Sequence, residues 1–176
     1  MDSSTLSFVP VRPDQQPTLY ALMRRIYPPV YAYLWPDGGA WYVDAQYSPE
    51  NVHRELAEPD ADYRFIQLND EPVGIVRSVA GRPAPDRLTL NATKLHRLYL
   101  DPAVAGRGIG SRALEFVEAQ CRKRGDKLLW LEAMDSAADA LAFYERLGFA
   151  RLAPFTLEMP RMLPAYRGMW RMGKEL

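Results

Sequence analysis

The stretch LHRLYLDPAVAGRGIGSRALEFV, residues 95–117, decides the fold of this chain. The residues up to Leu100 alternate well enough to predict a strand, which Asp101-Pro102 then ends. A helix is predicted over 108–125, and three glycines lie at its approach and first turn: Gly106, Gly108 and Gly110. Glycine lets backbone N–H groups come close to a ligand, and the first helical turn adds unpaired N–H groups and the positive end of the dipole. The stretch therefore predicts a phosphate-binding turn, with Arg107 as an added charge, or a tight strand-to-helix connection without a ligand.

Two other phosphate-binding patterns fit this turn less well. A P-loop needs Gly-Lys-Ser/Thr, whereas this chain has Gly110-Ser111-Arg112. The dinucleotide fingerprint matches formally at Gly108, Gly110 and Ala113, but seven residues separate Leu100 from Gly108 and no second βαβ half follows. A dinucleotide-binding oxidoreductase is thus the less favoured alternative.

The rest of the chain predicts one α/β domain over residues 1–176. Helices are expected over 14–27, where Asp14 is the expected cap, and over 48–59 and 136–148. Strands are expected over 6–13, 63–69, 71–80, 93–100, 127–133, 149–159 and 168–176. This order predicts a mixed sheet flanked by helices.

Composition excludes several classes of protein. The 22 basic and 22 acidic residues cancel, which argues against a dedicated nucleic-acid or membrane-surface binder. Cys121 is the single cysteine, so neither an internal disulfide nor a multi-cysteine zinc site is expected. No apolar run approaches the ~18 residues that a membrane span needs. We expect a cytoplasmic protein without a metal, either a monomer or a homodimer.

Two motifs in order carry a family resemblance. Ala105-Gly106-Arg107-Gly108-Ile109-Gly110 resembles motif A of the GNAT superfamily, Gln/Arg-x-x-Gly-x-Gly/Ala at a helix start, with Ala105 departing from the usual first residue. SAADALAFYERLGF, residues 136–149, resembles motif B, with Ala137 where Asn is usual. The resemblance implies the GNAT fold, a mixed and mostly antiparallel central sheet flanked by helices. It implies direct acetyl transfer from acetyl-CoA to a primary amine of a small molecule or peptide in a ternary complex, and the layout is most similar to bacterial polyamine N-acetyltransferases.

The same resemblance implies a set of cofactor residues. The backbone of Leu98, Tyr99 and Leu100 pairs with the pantetheine arm and donates to the carbonyl oxygen, while the turn from Gly106 to Ser111 holds the pyrophosphate. Tyr144 is implied as the acid that protonates the leaving thiolate. The expected cofactor-binding residues are Leu98, Tyr99, Leu100, Gly106, Arg107, Gly108, Ile109, Gly110, Ser111, Ala137 and Tyr144. A non-catalytic acyl-CoA-binding module is the alternative, because two motif positions depart from the pattern.

The general base stays open between three candidates. His96 lies on the strand before the turn and titrates in a useful range. Glu132 lies near the end of the next predicted strand. Family members often carry Glu two residues before His96, but here that position is Lys94. A water chain without a single base is the third candidate.

An aromatic segment, residues 26–52, contains seven of the twenty aromatic residues of the chain. Prolines and the Gly38-Gly39 pair interrupt it, which predicts a loop with a hinge at those glycines. In the GNAT layout this segment lies over the acceptor side, where rings can hold a cationic amine. The expected acceptor-binding residues are Tyr31, Trp35, Trp41 and Tyr42. The alternatives are a plug of the core or a dimer face.

Overall fold

Seven strands form one mixed sheet in the computed structural model, which describes residues 4–176, and their order is β1-β2-β3-β4-β5-β7-β6. The strands are β1 Leu6–Pro10, β2 Ala61–Leu68, β3 Glu71–Val79, β4 Ala92–Leu100, β5 Leu128–Met134, β6 Ala150–Thr156 and β7 Gly168–Glu175. The α-helices are α1 Gln16–Ile26, α2 Pro28–Tyr31, α3 Ala40–Gln46, α4 Pro49–Leu56, α5 Ile109–Arg124 and α6 Ala138–Arg146. The predicted mixed, mostly antiparallel sheet with flanking helices is confirmed.

The chain divides into two compact units. The first comprises the chain up to Ser78 together with Arg97–Ala113, and the second comprises Val79–His96 and Leu114–Leu176. Strand β4 contributes Ala92–His96 to the second unit and Arg97–Leu100 to the first. A single domain over 1–176 stays a prediction.

In the first unit, β1 and β2 pair antiparallel from Leu6↔Leu68 to Pro10↔Arg64. Helix α1 buries the apolar face that its periodicity predicted: Leu19, Leu22, Met23 and Ile26. The predicted cap by Asp14 is wrong, because a short 3₁₀ turn over Pro13–Gln15 precedes α1. Its capping contact is Arg12 N–H to Gln15 Oε1 at 3.0 Å, and the Asp14 carboxylate pairs with Arg12 Nε at 3.1 Å. The predicted cap of α4 is confirmed, since Ser48 Oγ accepts from Asn51 N–H at 3.2 Å.

The aromatic segment is helical, so the prediction of a loop over 26–52 is wrong. It contains α2, a 3₁₀ turn over Ala32–Leu34, and α3 before the start of α4. Proline is compatible with the first turn of a helix, and Pro28 begins α2. Gly39 takes a φ of +94° before α3, and the Asp37 carboxylate accepts from Gly39 N–H at 3.0 Å and Trp41 N–H at 2.8 Å. The prolines and the Gly38-Gly39 pair therefore divide the segment into short helices.

In the second unit, β5 pairs antiparallel with β7 along its whole length, from Leu128↔Glu175 to Met134↔Met169. Its parallel ladder with β4 covers Ala92–Lys94 and Leu128–Trp130 and stops there. The connection between β3 and β4 packs against this part of the sheet, since Ala84 is buried with Ala92, Leu128 and Trp130.

Candidate functional site

The turn between β4 and α5 has the backbone that a phosphate site requires. Gly106 and Gly108 have φ of +76° and +72°, and α5 begins directly afterwards at Ile109. A Cβ added at either glycine would meet nothing within 4 Å. The left-handed backbone, and not crowding, therefore demands glycine here. The turn is exposed from Ala105 to Gly108, so it can meet a ligand beside the first turn of α5.

The other predicted residues of the turn have different environments. Ile109 and Gly110 are buried, Ser111 is half-buried, and Arg107 is exposed with its Nη2 donating to Ser4 Oγ at 3.2 Å. The Ile109 side chain packs in the core at the start of α5, so only its backbone N–H could donate to a bound anion.

Strand β4 approaches β3 unusually closely just before the turn. A Cβ added to Gly74 would lie 2.4 Å from the carbonyl oxygen of Tyr99 and 2.7 Å from Leu100 Cδ2. Asp101 N–H then donates to the carbonyl of Val73 at 2.7 Å. The hydrogen-bond ladder between β4 and β5 ends at Lys94↔Trp130. The later residues of β4 can therefore use the backbone groups of that edge to bind an extended ligand.

An aromatic cluster joins the helical segment to β4 within the first unit. Its members are Tyr27, Tyr31, Trp35, Trp41, Tyr42 and Tyr99. Tyr27 stacks on Tyr42 and Tyr31 at ring-centroid distances of 4.7 and 5.2 Å, and its edge meets Tyr99 at 5.7 Å. Tyr99 was predicted to act through its backbone, and its side chain also ties β4 to the aromatic segment, because its hydroxyl lies 3.4 Å from that of Tyr42.

The predicted acceptor residues divide by burial. Trp35 is 4% exposed and its indole N–H donates to Tyr27 Oη at 2.9 Å, which favours the core alternative for this residue. Tyr31, Trp41 and Tyr42 are half-buried. A cavity of about 200 Å³ opens beside the segment and is lined by Arg24, Pro28, Asp37, Gly38, Ala40, Val43 and Asp44. That lining includes none of the four predicted acceptor residues, whose contact with an acceptor stays a prediction.

Three tyrosines of the cluster have raised pKa values. Burial raises the pKa of Tyr31 to about 12 and also raises the pKa of Tyr27 and Tyr99 above the phenol's usual range. These tyrosines therefore offer neutral hydroxyls and ring faces.

A buried charge network in the first unit was missed by sequence reasoning. Arg97 on β4 donates to Glu55 Oε2 on α4 at 2.5 Å and to Gln46 Oε1 at 2.7 Å. Its guanidinium also lies 5.3 Å from the ring centroid of Tyr47. These partners lie 42 and 51 residues away in sequence, and no local pattern joins them.

The predicted acid, Tyr144, is half-buried on α6 in the second unit. Its ring meets those of Phe143 and Phe149 at centroid distances of 5.2 and 5.7 Å. Gly148, with φ of +91°, follows the end of α6. Ala137 stands at the N-cap of α6 without a side-chain cap, and its carbonyl accepts from Leu141 N–H at 3.0 Å. Ala137, at the position where the family motif has Asn, thus gives α6 no side-chain cap, and the helix still forms.

The two base candidates also differ in environment. Glu132 is held by cations, since its Oε2 accepts from Lys94 Nζ at 2.9 Å and its Oε1 lies 4.0 Å from Arg171 Nε. The Lys94 ammonium also lies over the Trp130 ring at 4.8 Å. His96 is exposed on β4. Glu132 is thus held in an ion pair, whereas His96 is exposed, and which of them accepts a proton stays a prediction.

Across residues 4–176, no group of three or more His, Cys, Asp or Glu side chains is placed to hold a metal ion. In the same residues, no helix combines the length and apolarity needed to cross a bilayer.

The mixed seven-stranded sheet and the glycine turn between β4 and α5 form the arrangement expected of an N-acyltransferase that uses acyl-CoA. The Acetyltransferase (GNAT) family profile matches residues 18–149, and the chain belongs to this family of acetyl-CoA-dependent N-acetyltransferases. Family membership removes the dinucleotide-binding alternative.

Relatives and solved structures agree on the family and differ in acceptor. An uncharacterized N-acetyltransferase of Lactobacillus delbrueckii subsp. lactis is 23% identical over 118 residues, 67% of this chain and 68% of the relative. The ribosomal protein bS18 alanine N-acetyltransferase of Escherichia coli is 38% identical over 63 residues, only 36% of this chain and 43% of that enzyme.

The structure of PaiA N-acetyltransferase from Thermoplasma acidophilum with coenzyme A has a TM-score of 0.75 at 18% identity, over 98% of this chain and 99% of that one. A spermidine N-acetyltransferase mutant from Vibrio cholerae has a TM-score of 0.67 at 12% identity, covering 97% and 93%. The superfamily resemblance is confirmed, and the polyamine subgroup has only this fold-level likeness.

Proposed function

We propose that this protein transfers the acetyl group of acetyl-CoA directly to a primary amine, and that a peptide α-amine is a better acceptor than a polyamine. The observation that carries the proposal is the glycine turn, where two left-handed glycines expose backbone before α5. Family membership supports the proposal, because acetyl transfer in this family requires bound acetyl-CoA and the turn is the proposed site of its pyrophosphate. A cytoplasmic location and a monomer or homodimer remain predictions.

The turn is proposed to hold the pyrophosphate of acetyl-CoA. Backbone N–H groups from Gly106 to Ser111 and the positive end of α5 would face the negative charge. Arg107 adds a cation that is exposed in the free protein. The backbone of Leu98–Leu100, beyond the end of the β4–β5 ladder, is proposed to pair with the pantetheine arm. A backbone N–H of the same strand would donate to the thioester oxygen as negative charge develops on it.

Proton transfer decides which acceptor suits this site. An amine must be neutral to attack, and an alkylammonium with a pKa near ~10 is almost wholly protonated at pH 7.5, whereas an α-amine with a pKa of about 7.7–8.0 is not. Glu132 is paired with Lys94 at 2.9 Å, which leaves His96 or water as the proposed proton acceptor. An acceptor that is already partly neutral needs less help from a base, so we propose an α-amine as the preferred acceptor.

The leaving thiolate has a conjugate acid with a pKa near ~8.5, and a phenol can protonate it. We assign that role to Tyr144, which stands at the family's motif position on α6.

Calorimetry with coenzyme A tests the cofactor site. Gly108→Asp should abolish binding, because it puts a carboxylate and a strained backbone into the turn. Gly81→Asp is the matched control, since Gly81 also has a positive φ, +62°, and open space around a Cβ. Equal affinity for the two variants, or no binding by the wild-type protein, would refute the site.

A thiol-release assay tests acceptor and turnover together. An N-terminal alanine peptide, spermidine, an aminoglycoside and free amino acids would be compared at pH 7.5 and pH 9. The peptide should give the highest kcat/KM at pH 7.5, and the rate with spermidine should rise more steeply with pH. Preferential turnover of spermidine at pH 7.5 would refute the α-amine assignment. Coenzyme A binding without release on any acceptor would favour the non-catalytic acyl-CoA-binding alternative.

A further inference from the structure

An ion pair joins the end of α1 to the start of the glycine turn. Arg25 Nη1 donates to the Asp101 carboxylate, and Arg25 Nη2 lies 3.5 Å from the carbonyl of Pro72. The Arg25 side chain is 57% exposed, whereas Asp101 is only 13% exposed. Pairs with such an exposed member contribute little to stability, so stability alone gives little reason for this one.

Asp101 is the residue from which the turn is built. Its Oδ1 accepts from Ala103 N–H at 2.9 Å, and its carbonyl accepts from Val104 N–H at 3.0 Å. The next bond, Ala105 N–H to the carbonyl of Pro102 at 3.1 Å, carries the chain to Gly106. These successive short-range bonds make Asp101 the first residue of an ordered connection that leads to the glycines.

The position of this carboxylate creates an electrostatic conflict with the proposed ligand. Asp101 and Val104 span one such turn, so their Cα atoms are closer than ~7 Å, and Gly106 follows two residues later. The Asp101 carboxylate is only 13% exposed, so salt screens its charge less than that of an exposed side chain. An uncompensated Asp101 would therefore repel a pyrophosphate bound at the glycines. Arg25 pairs directly with that carboxylate.

We propose that Arg25 is a positioning residue for the cofactor: it neutralises and holds Asp101, so that the turn can accept the pyrophosphate of coenzyme A. The inference rests on the proposed function of the turn. It gives Arg25 a role through Asp101 and not through contact with the ligand.

A double-mutant cycle with coenzyme A as the probe separates these roles. Calorimetry would compare wild type, Arg25→Ala, Asp101→Asn and the double variant. Arg25→Ala should raise Kd about 3- to 10-fold, the size expected for one modest charge interaction. Asp101→Asn should change Kd less than about 2-fold, because the amide oxygen still accepts from Ala103 N–H. The double variant should bind like Asp101→Asn.

Two further variants test whether the effect on Kd depends on the charge and position of Arg25. Arg25→Lys should restore the wild-type Kd to within about 2-fold, since it keeps the charge. Arg24→Ala is the matched control on the same helix, because Arg24 donates to Tyr20 Oη at 3.2 Å, and its Kd should be unchanged. All variants should keep their thermal midpoint to within about 4 °C.

Three results would overturn the inference. The Arg25→Ala effect could be equally large in the Asp101→Asn background, which would show direct contact with the ligand. Asp101→Asn could weaken binding as much as Arg25→Ala, which would exclude charge compensation. Arg25→Ala could leave Kd unchanged. Failure of the wild-type protein to bind coenzyme A would instead refute the proposed function, and the inference would fall with it.

Discussion

Glu55→Gln should destabilise this protein more than any other change of a single charge on α4. The Glu55 carboxylate is buried and faces two buried guanidiniums, with Arg97 Nη1 at 2.5 Å and Arg77 Nε at 3.9 Å. Arg77 has a second acid, Glu58, at 2.5 Å, whereas Arg97 also donates to Gln46, which is neutral. Neutralising Glu55 would therefore leave the charge of Arg97 without its carboxylate.

The magnitude follows from this burial. Removing one partner of a buried ion pair costs about 3–5 kcal/mol, because the remaining charge is left uncompensated. Glutamine has the same shape and can still accept one hydrogen bond, so we expect the lower end, about 3 kcal/mol. With an m-value of about 2 kcal/mol/M for urea, the unfolding midpoint should fall by about 1.5 M.

Urea unfolding followed by circular dichroism measures this shift, with Glu50→Gln as the control. Glu50 is exposed in the first turn of the same helix, so its neutralisation should cost less than about 1 kcal/mol. Combining Glu55→Gln with Arg97→Gln should cost less than the sum of the single changes by at least about 1.5 kcal/mol, since the double variant leaves no unpaired Arg97. A midpoint that falls no further than that of Glu50→Gln, or an additive double variant, would refute the reasoning.

The remaining predictions concern the site. Tyr144→Phe should lower kcat about 10- to 1000-fold while coenzyme A still binds, and an unchanged kcat across pH would contradict the acid role. Gly74→Ala should cost about 1–3 kcal/mol in urea unfolding and weaken coenzyme A in calorimetry, because its Cβ would lie 2.4 Å from the Tyr99 carbonyl; wild-type affinity would show that β4 absorbs the change. Burial raises the pKa of Tyr31 to about 12, so its contribution to the free energy of unfolding should be constant below about pH 10 and decrease as the pH rises toward 12. Tyr31→Phe should make that decrease smaller, and identical urea midpoints of both proteins from about pH 8 to 11 would contradict the prediction. Trp35→Ala should lower stability by about 3–5 kcal/mol, and a wild-type urea midpoint would show that Trp35 is not part of the core.

The parts of the fold that local sequence decides were predictable. The strand ending at Leu100, the glycines and the helix from Ile109 follow one another in a single stretch, and each has its own local signal. The same holds for the cap of α4, where Ser48 lies three residues before its partner Asn51. Family motifs then supplied roles for the turn and for Tyr144 that spacing alone could not.

Tertiary contacts decided the features that sequence reasoning missed. The helices of the aromatic segment form where propensity disfavoured them, because the rings of Tyr27 and Tyr42 stack and Trp35 is bonded to Tyr27 across eight residues. The pairing of Glu55 with Arg97 joins α4 to β4 over 42 residues. One signal was available, since Arg97 lies on the same strand face as Leu95 and Tyr99, and an arginine buried on such a face requires a partner.

The residues of the aromatic cluster differ in burial. Tyr27 and Trp35 are buried and bonded to each other, so they form its base and serve stability. Tyr31 and Tyr42 are half-buried above them, and both contact Tyr99 on the strand proposed to bind pantetheine. An acceptor that rested on these outer rings would therefore lie against rings that contact that strand. This arrangement divides one segment into two layers: a buried base that stabilises the first unit, and a half-buried outer layer that is accessible beside β4.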